Sequence, residues 1–137
     1  MKQYTNEALI TLATKARENA HCPYSGIAVG AALLTESGEV FLGANMESAS
    51  FSPTLCAERV AFGSALTAGH RKFVRIAVVG AKLESTPDRF FPPCGVCRQV
   101  MAEFCEQDFE IILSDGKALR VLTLSELLPH SFGKEHF

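Results

Sequence analysis

Long apolar runs are missing from this 137-residue chain, and so is the start expected of a secreted protein. No stretch approaches the roughly 18 apolar residues that cross a membrane, so we expect no membrane-spanning helix. The first 20 residues, MKQYTNEALITLATKARENA, are polar at every third or fourth position and lack the unbroken apolar core of a signal peptide. The sequence therefore predicts a cytoplasmic protein.

An excess of charge of either sign is also missing. Thirteen basic and 15 acidic side chains give a formal net charge of −2, without a basic run that could follow a phosphate backbone. We therefore expect no nucleic-acid polymer and no membrane among the partners. The hydrophobic fraction of 47% and the charged fraction of 20% are typical of a globular protein. The length favours one domain over residues 1–137.

Cysteine is present in an odd number, which argues against a framework of disulfide bonds. The five cysteines are Cys22, Cys56, Cys94, Cys97 and Cys105. Without a secretion signal we expect these thiols to stay reduced. In a reduced compartment a C-x-x-C pair more often indicates metal binding or redox chemistry.

Hydrophobic periodicity and turn residues predict nine regular elements. We expect helices over residues 5–19, 56–68, 95–105 and 125–129, and strands over residues 27–35, 40–45, 74–81, 110–115 and 118–124. The first helix would begin at Thr5 as N-cap and carry Lys15, Arg17 and Glu18 on its polar face. The order α-β-β-α-β-α-β-β-α predicts an α/β fold, a three-layer α/β/α sandwich around a mixed five-stranded sheet.

Three cysteines fall where two of these helices begin, in CAE at 56–58 and PCGVC at 93–97. Zinc favours thiolates in tetrahedral geometry, and a catalytic zinc site keeps three protein ligands and one open position. Helix N-termini add partial positive charge, which favours the thiolate form. Cys22 and Cys105 lack the spacing of a fourth ligand. We therefore predict a catalytic zinc site built from Cys56, Cys94 and Cys97.

Glu58, two positions after the first ligand, could reach the open coordination position without binding zinc. A carboxylate there can take a proton from a metal-bound water and deliver it elsewhere. C-x-x-C alone could equally be a redox pair or half of a structural zinc site, and C-x-E alone means little. The combination of ligand-x-Glu with P-C-x-x-C is typical of zinc deaminases, which attack a ring carbon that bears an amino group.

The chain resembles the small homotetrameric cytidine deaminase family over nearly its whole length. The resemblance rests on CPYS (22–25), VGAALL (29–34), G-x-N-x-E (43–47), CAER (56–59), PCGVCRQVM (93–101) and LLPHSFG (127–133). It implies the cytidine deaminase fold, one Zn²⁺ per subunit and hydrolytic deamination of cytidine and 2′-deoxycytidine. Glu58 would protonate N3 of the base as the zinc-activated water adds to C4, and would then pass a proton to the departing ammonia.

The resemblance also implies roles for residues around the zinc site. The backbone N–H of Ala57 would bind the carbonyl of the base. Arg59 would donate hydrogen bonds to the ligand thiolates and offset the excess negative charge of three thiolates on Zn²⁺. Asn45 and Glu47 would hold the ribose hydroxyls. Phe132 would reach into the pocket of a neighbouring subunit and pack on the base, so that a homotetramer shares its active sites.

Three positions depart from the family pattern. Ile27 replaces the usual aromatic residue after CPYS, Ser48 replaces the usual asparagine after the Asn-x-Glu pair, and Ser50-Phe51 follows Ala49 where the family has an aromatic residue, commonly tyrosine. These positions surround the nucleoside and could shift the preference towards a modified pyrimidine nucleoside with an N4 substituent, or a nucleoside antibiotic. A polynucleotide-editing deaminase and a non-catalytic zinc-binding module are further alternatives. The first would need basic, aromatic loops, and the second would not need Glu58.

Overall fold

The computed structural model describes residues 3–137 and confirms the predicted order of elements. The helices are α1 (Asn6–Ala16), α2 (Ala57–Thr67), α3 (Gly95–Phe104) and α4 (Leu124–Leu127). The strands are β1 (Ile27–Thr35), β2 (Val40–Ala44), β3 (Phe73–Lys82), β4 (Glu110–Ser114) and β5 (Leu119–Thr123). Short 3₁₀ turns cover Arg17–Asn19 and Lys134–His136. Within residues 3–137 no helix has both the length and the apolar character needed to cross a membrane.

The five strands form one mixed sheet in the order β2-β1-β3-β4-β5. The strands β1 and β2 form an antiparallel hairpin, in which Leu34 pairs with Val40. Strands β3 and β4 are parallel, and the other neighbours are antiparallel. A parallel pair needs a crossover connection, and α3 provides it. This crossover brings the start of α3 to the end of β3.

Helices cover both faces of the sheet, so the predicted three-layer sandwich is confirmed. On one face, Leu9 and Ala13 of α1 pack against the sheet. On the other face, the core includes Phe62 of α2, Met101 of α3 and Leu124 of α4. The central strand β3 buries alternate residues in each core, as its nearly continuous apolar sequence predicted.

Arg17 does not lie on the polar face of α1, and that prediction was wrong. The residue is only 7% exposed. Its Nε donates to the carbonyl of Ala28 at 2.8 Å, and its Nη2 lies 3.1–3.3 Å from the carbonyls of Ala81, Lys82 and Ser85. Arg17 lies four residues after Ala13 and eight after Leu9, on the same face as these buried residues, so the helix directs its guanidinium towards β1 and β3. Buried charge is tolerated there because carbonyl oxygens surround it, and a helical projection cannot reveal acceptors so distant in sequence.

Gly43 of β2 lets the first turn of α2 lie directly on the sheet. A Cβ atom at this position would stand 2.1 Å from the carbonyl oxygen of Ala57 and 2.7 Å from the amide nitrogen of Ala61. Both contacts are to backbone, which cannot rotate away as a side chain can. The absence of a side chain at Gly43 therefore sets how closely the N-terminus of α2 approaches the sheet.

Candidate active site

Two cysteines occupy the N-cap positions of neighbouring helices. Cys56 is the N-cap of α2, Cys94 is the N-cap of α3, and Cys97 lies in the first turn of α3. N-cap side chains commonly accept a hydrogen bond from the first turn of their helix. Neither thiol does so here. Both sulfur atoms are therefore left to interact with each other, with Cys97 or with a metal ion.

The geometry of the three sulfur atoms fits zinc. The Sγ atoms of Cys56 and Cys94 lie 3.7 Å apart, and those of Cys94 and Cys97 lie 3.5 Å apart. All three lie within 4.8 Å of one another. Sulfur atoms about 2.3 Å from a tetrahedral zinc ion are separated by about 3.8 Å. Among residues 3–137 no other group of His, Cys, Asp and Glu side chains could hold a metal ion, and Cys22 and Cys105 lie outside this cluster.

The cluster already favours a thiolate at Cys56. The neighbouring Cys97, together with Arg59 and Cys94, lowers the pKa of Cys56 to about 5. Cys56 in turn raises the pKa of Cys97. Arg59 contributes through its Nη2, which lies 3.6 Å from the sulfur of Cys56 and 3.4 Å from the carbonyl of Thr54. A guanidinium thus lies beside the sulfur cluster, where three thiolates would carry one charge more than zinc neutralises.

Glu58 is an almost fully buried carboxyl group beside the sulfur cluster. It is the second residue of α2, and only 3% of its surface is exposed. Burial raises the pKa of Glu58 to about 7, and the neighbouring Cys56 thiolate acts in the same direction. A carboxyl group with such a pKa can both accept and donate a proton near neutral pH. Position and chemistry therefore suit a proton shuttle.

A cleft of about 370 Å³ opens in front of the cysteines. Its lining includes six residues that the sequence predicted for the site: Ile27, Asn45, Glu47, Cys56, Glu58 and Cys94. Sequence reasoning missed the other six, namely Ser25, Val29, Thr54, Leu55, Phe91 and Pro92. A signal for Phe91 was present, because the aromatic pair FF and two prolines stand directly before Cys94. The ring of Phe91 lies against Gly80, where a Cβ atom would come within 2.6 Å of it.

Asn45 is held by the start of β1, and Glu47 is held by the segment that leads into this strand. The side chain of Asn45 accepts a hydrogen bond from the amide of Val29 at 2.8 Å and donates one to the carbonyl of Ile27 at 2.9 Å. Glu47 accepts hydrogen bonds from the amides of Tyr24 and Ser25 and from the Ser25 hydroxyl. One short segment therefore orients both polar side chains at this end of the cleft.

Three other predicted residues lie outside the lining of this cleft. Ala57 is fully buried, and as the first helical residue its N–H has no partner within α2. Phe51 is 78% exposed and lines a second cavity of about 330 Å³, which shares Ser25, Glu47 and Thr54 with the cleft. Phe132 is 59% exposed, and its ring stacks on His136 at 5.1 Å.

Comparisons with known proteins agree with this site. Residues 3–112 match the family described as the cytidine and deoxycytidylate deaminase zinc-binding region. The chain is 47% identical to a cytidine deaminase of Halalkalibacterium halodurans over 94% of its own length and 95% of the relative's. It is 34% identical to a blasticidin-S deaminase of Bacillus cereus over 74% of each chain.

Solved structures extend this likeness to the whole fold. The crystal structure of a cytidine deaminase from Burkholderia pseudomallei is similar to the chain, with a TM-score of 0.86 and 45% sequence identity. The match covers 94% of this chain and 100% of that one. The fold and the family predicted from the sequence motifs are thereby confirmed. The chain belongs to the cytidine and deoxycytidylate deaminase family.

Proposed function

We propose that this protein is a zinc-dependent hydrolase that deaminates cytidine and 2′-deoxycytidine to uridine and 2′-deoxyuridine with release of ammonia, a reaction of pyrimidine salvage. One observation carries the proposal. Three thiols with zinc spacing lie together, two of them line the same cleft as a buried carboxyl group, and among residues 3–137 no fourth cysteine joins the cluster. A structural zinc site would need a fourth ligand and no carboxyl group.

The residues of the chain divide the chemistry between them. Cys56, Cys94 and Cys97 hold one Zn²⁺, which when bound activates a water molecule as the nucleophile. Glu58 would accept a proton from the water that attacks C4 of the base and would deliver a proton to N3. A second proton passes through Glu58 to the amino group, which leaves as ammonia. Burial of Glu58 supports this role, because it keeps the carboxyl group able to bind and release protons near pH 7.

Substrate recognition falls to the polar groups around the cleft. The unpaired helical N–H of Ala57 donates to the base carbonyl, and Ile27 packs near the base. Asn45 and Glu47 bind the sugar hydroxyls at the opposite end of the cleft. Their hydrogen bonds to the start of β1 and to the segment before it support this role, because a pre-oriented polar pair loses little freedom when the sugar binds. Arg59 stabilises the thiolates through its contact with Cys56.

Ultraviolet assays with free nucleosides test this function. Zinc-loaded protein should convert cytidine and 2′-deoxycytidine, with loss of absorbance in the cytosine band and release of one ammonia per turnover. The free base cytosine should be a poor substrate, because it lacks the sugar that Asn45 and Glu47 bind. Zinc-loaded protein that leaves both nucleosides unchanged would refute the proposal.

A modified pyrimidine nucleoside or a nucleoside antibiotic is a second candidate substrate. The cavity of about 330 Å³ beyond Glu47, lined in part by Ser48 and Phe51, supports a nucleoside antibiotic because a substituent on its sugar could extend there. The Asn45–Glu47 pair favours an unmodified sugar, since it presents acceptors and donors suited to sugar hydroxyls. Blasticidin S and N4-substituted cytidines therefore belong in the same substrate panel. Turnover of these compounds without turnover of cytidine would favour the second candidate.

We further propose a homotetramer in which Phe132 completes the active site of a neighbouring subunit. The exposed position of Phe132 supports this arrangement. The tail that carries Phe132 is held on α3, because Gln99 donates a hydrogen bond to the Phe132 carbonyl at 2.8 Å. Light scattering of the purified protein should give the mass of four 14.8 kDa chains. That residues 1–137 act as one domain, and that the protein is cytoplasmic, remain predictions.

A further inference from the structure

Glu47 accepts three hydrogen bonds from two neighbouring residues. Its Oε1 atom accepts from the amide of Tyr24 at 3.0 Å and from the amide of Ser25 at 3.1 Å. Its Oε2 atom accepts from the hydroxyl of Ser25. These contacts hold both oxygens of the carboxylate in place, although the residue lies at the partly exposed end of the cleft.

The hydroxyl of Ser25 has a defined direction. Its oxygen accepts a hydrogen bond from the amide of Ile27 at 3.0 Å. One lone pair of the oxygen therefore points towards Ile27. The hydroxyl proton is then free to point to Oε2 of Glu47, which as a carboxylate can only accept. A chain of two hydrogen bonds thus runs from the backbone at the start of β1 to a single carboxylate oxygen.

The number of acceptor sites on Glu47 decides where a ligand can bind. Each carboxylate oxygen offers about two acceptor positions. The two backbone amides fill both positions on Oε1, and Ser25 fills one of the two on Oε2. One position on Oε2 therefore remains for a hydroxyl group in the cleft. The oxygen that meets the ligand is the same oxygen that Ser25 holds.

We propose that Ser25 is a positioning residue for sugar recognition, which directs Oε2 of Glu47 to the hydroxyl of the bound nucleoside. This inference rests on the proposed function, in which Glu47 binds the sugar. The hydrogen bond from Ser25 is also the main reason why the pKa of Glu47 lies below its ordinary value. The carboxylate consequently keeps its acceptor character when the medium becomes mildly acidic.

The test compares Ser25→Ala and Ser25→Thr on two substrates. Cytidine carries the sugar hydroxyls, and 2′,3′-dideoxycytidine lacks them. Ser25→Ala should raise KM for cytidine about three- to tenfold with little change in kcat, a loss appropriate to one hydrogen bond to a charged group. Ser25→Thr keeps the hydroxyl and should stay close to the wild type. Ser64→Ala, which removes an exposed hydroxyl from α2, is the matched control.

The dideoxy substrate separates positioning from a structural effect. With 2′,3′-dideoxycytidine the penalty of Ser25→Ala should vanish, because no hydroxyl remains for Oε2 to bind. An equal penalty on both substrates, or no penalty on cytidine, would overturn the inference. Calorimetric binding of uridine and 2′,3′-dideoxyuridine makes the same comparison without turnover. Wild-type protein that binds nucleosides but does not deaminate them would count against the proposed function alone.

Discussion

Gly43→Ala should disable the active site by displacing the first turn of α2, against which Gly43 packs. The new Cβ atom would lie 2.1 Å from the carbonyl oxygen of Ala57, whereas non-bonded carbon and oxygen atoms rarely approach within 3 Å. To remove this steric clash, β2 and the first turn of α2 must move apart by about 1 Å. That turn carries Glu58 and follows directly on Cys56, so both groups would move relative to Cys94 and Cys97.

The expected losses follow from this displacement. Overpacking against rigid backbone costs about 1–3 kcal/mol, which lowers Tm by about 4–12 °C in a chain of this size. A misplacement of about 1 Å in a catalytic group can cost about 100-fold in rate, so kcat/KM for cytidine should fall by about that factor. Zinc content per chain should also fall, because the sulfur atom of Cys56 no longer meets the other two at tetrahedral spacing.

Gly63→Ala on the same helix is the matched control. A Cβ atom at Gly63 meets nothing within 4 Å, and alanine is the better helix former by about 0.5–1 kcal/mol. This variant should keep full activity and gain about 2–4 °C in Tm. Circular dichroism melts, zinc analysis and the ultraviolet assay measure all three quantities. If Gly43→Ala kept wild-type zinc content and kcat/KM, the argument that this contact sets the position of α2 would be wrong, whatever happened to Tm.

Three other measurements test the site and its surroundings. Glu58→Gln should keep about one zinc per chain and lose at least 10²–10⁴-fold in kcat, because the amide cannot shuttle protons; near-normal turnover would refute the mechanism. Tetramers reassembled from Glu58→Gln and Phe132→Ala chains should be more active than either parent, because some sites then contain both intact residues. Verified mixed tetramers that do not recover activity would rule out shared sites. Burial raises the pKa of Cys105 to about 12, so its thiol should resist alkylation at pH 8 in the folded protein and react after denaturation, as peptide mass spectrometry can measure.

The chemistry of the site was predictable because zinc constrains local sequence. P-C-x-x-C places two sulfur atoms within one helical turn, and C-x-E places a carboxyl group beside the third, so short-range spacing determines much of the geometry. The order of helices and strands was predictable for a related reason. Alternation between apolar and polar residues, with glycine and proline between segments, is also a local signal. The CPYS segment was recognised only as a motif, and its hydrogen bonds to Glu47 emerged from the structure.

Features that depend on distant backbone were not predictable. Arg17 carries a charge that favours the surface, yet it lies among carbonyl groups of β1 and of the segment from the end of β3 to Ser85. The sequence places Phe91 near Cys94, but the packing of its ring against Gly80 of β3 could not be read from that position. In both cases the deciding contact lies more than ten residues away in the sequence, where periodicity gives no information.

The central position of β3 has a consequence for how the protein folds. The first and second cysteine ligands are separated by 38 residues, and the strand between them pairs with both β1 and β4. Closing this 38-residue loop costs entropy that pairing of β3 in the sheet can offset. We therefore expect zinc to bind after the sheet has formed and not to act as the nucleus of folding. Added zinc should slow unfolding of the chain while leaving its refolding rate unchanged, because the metal stabilises a contact that forms after the transition state.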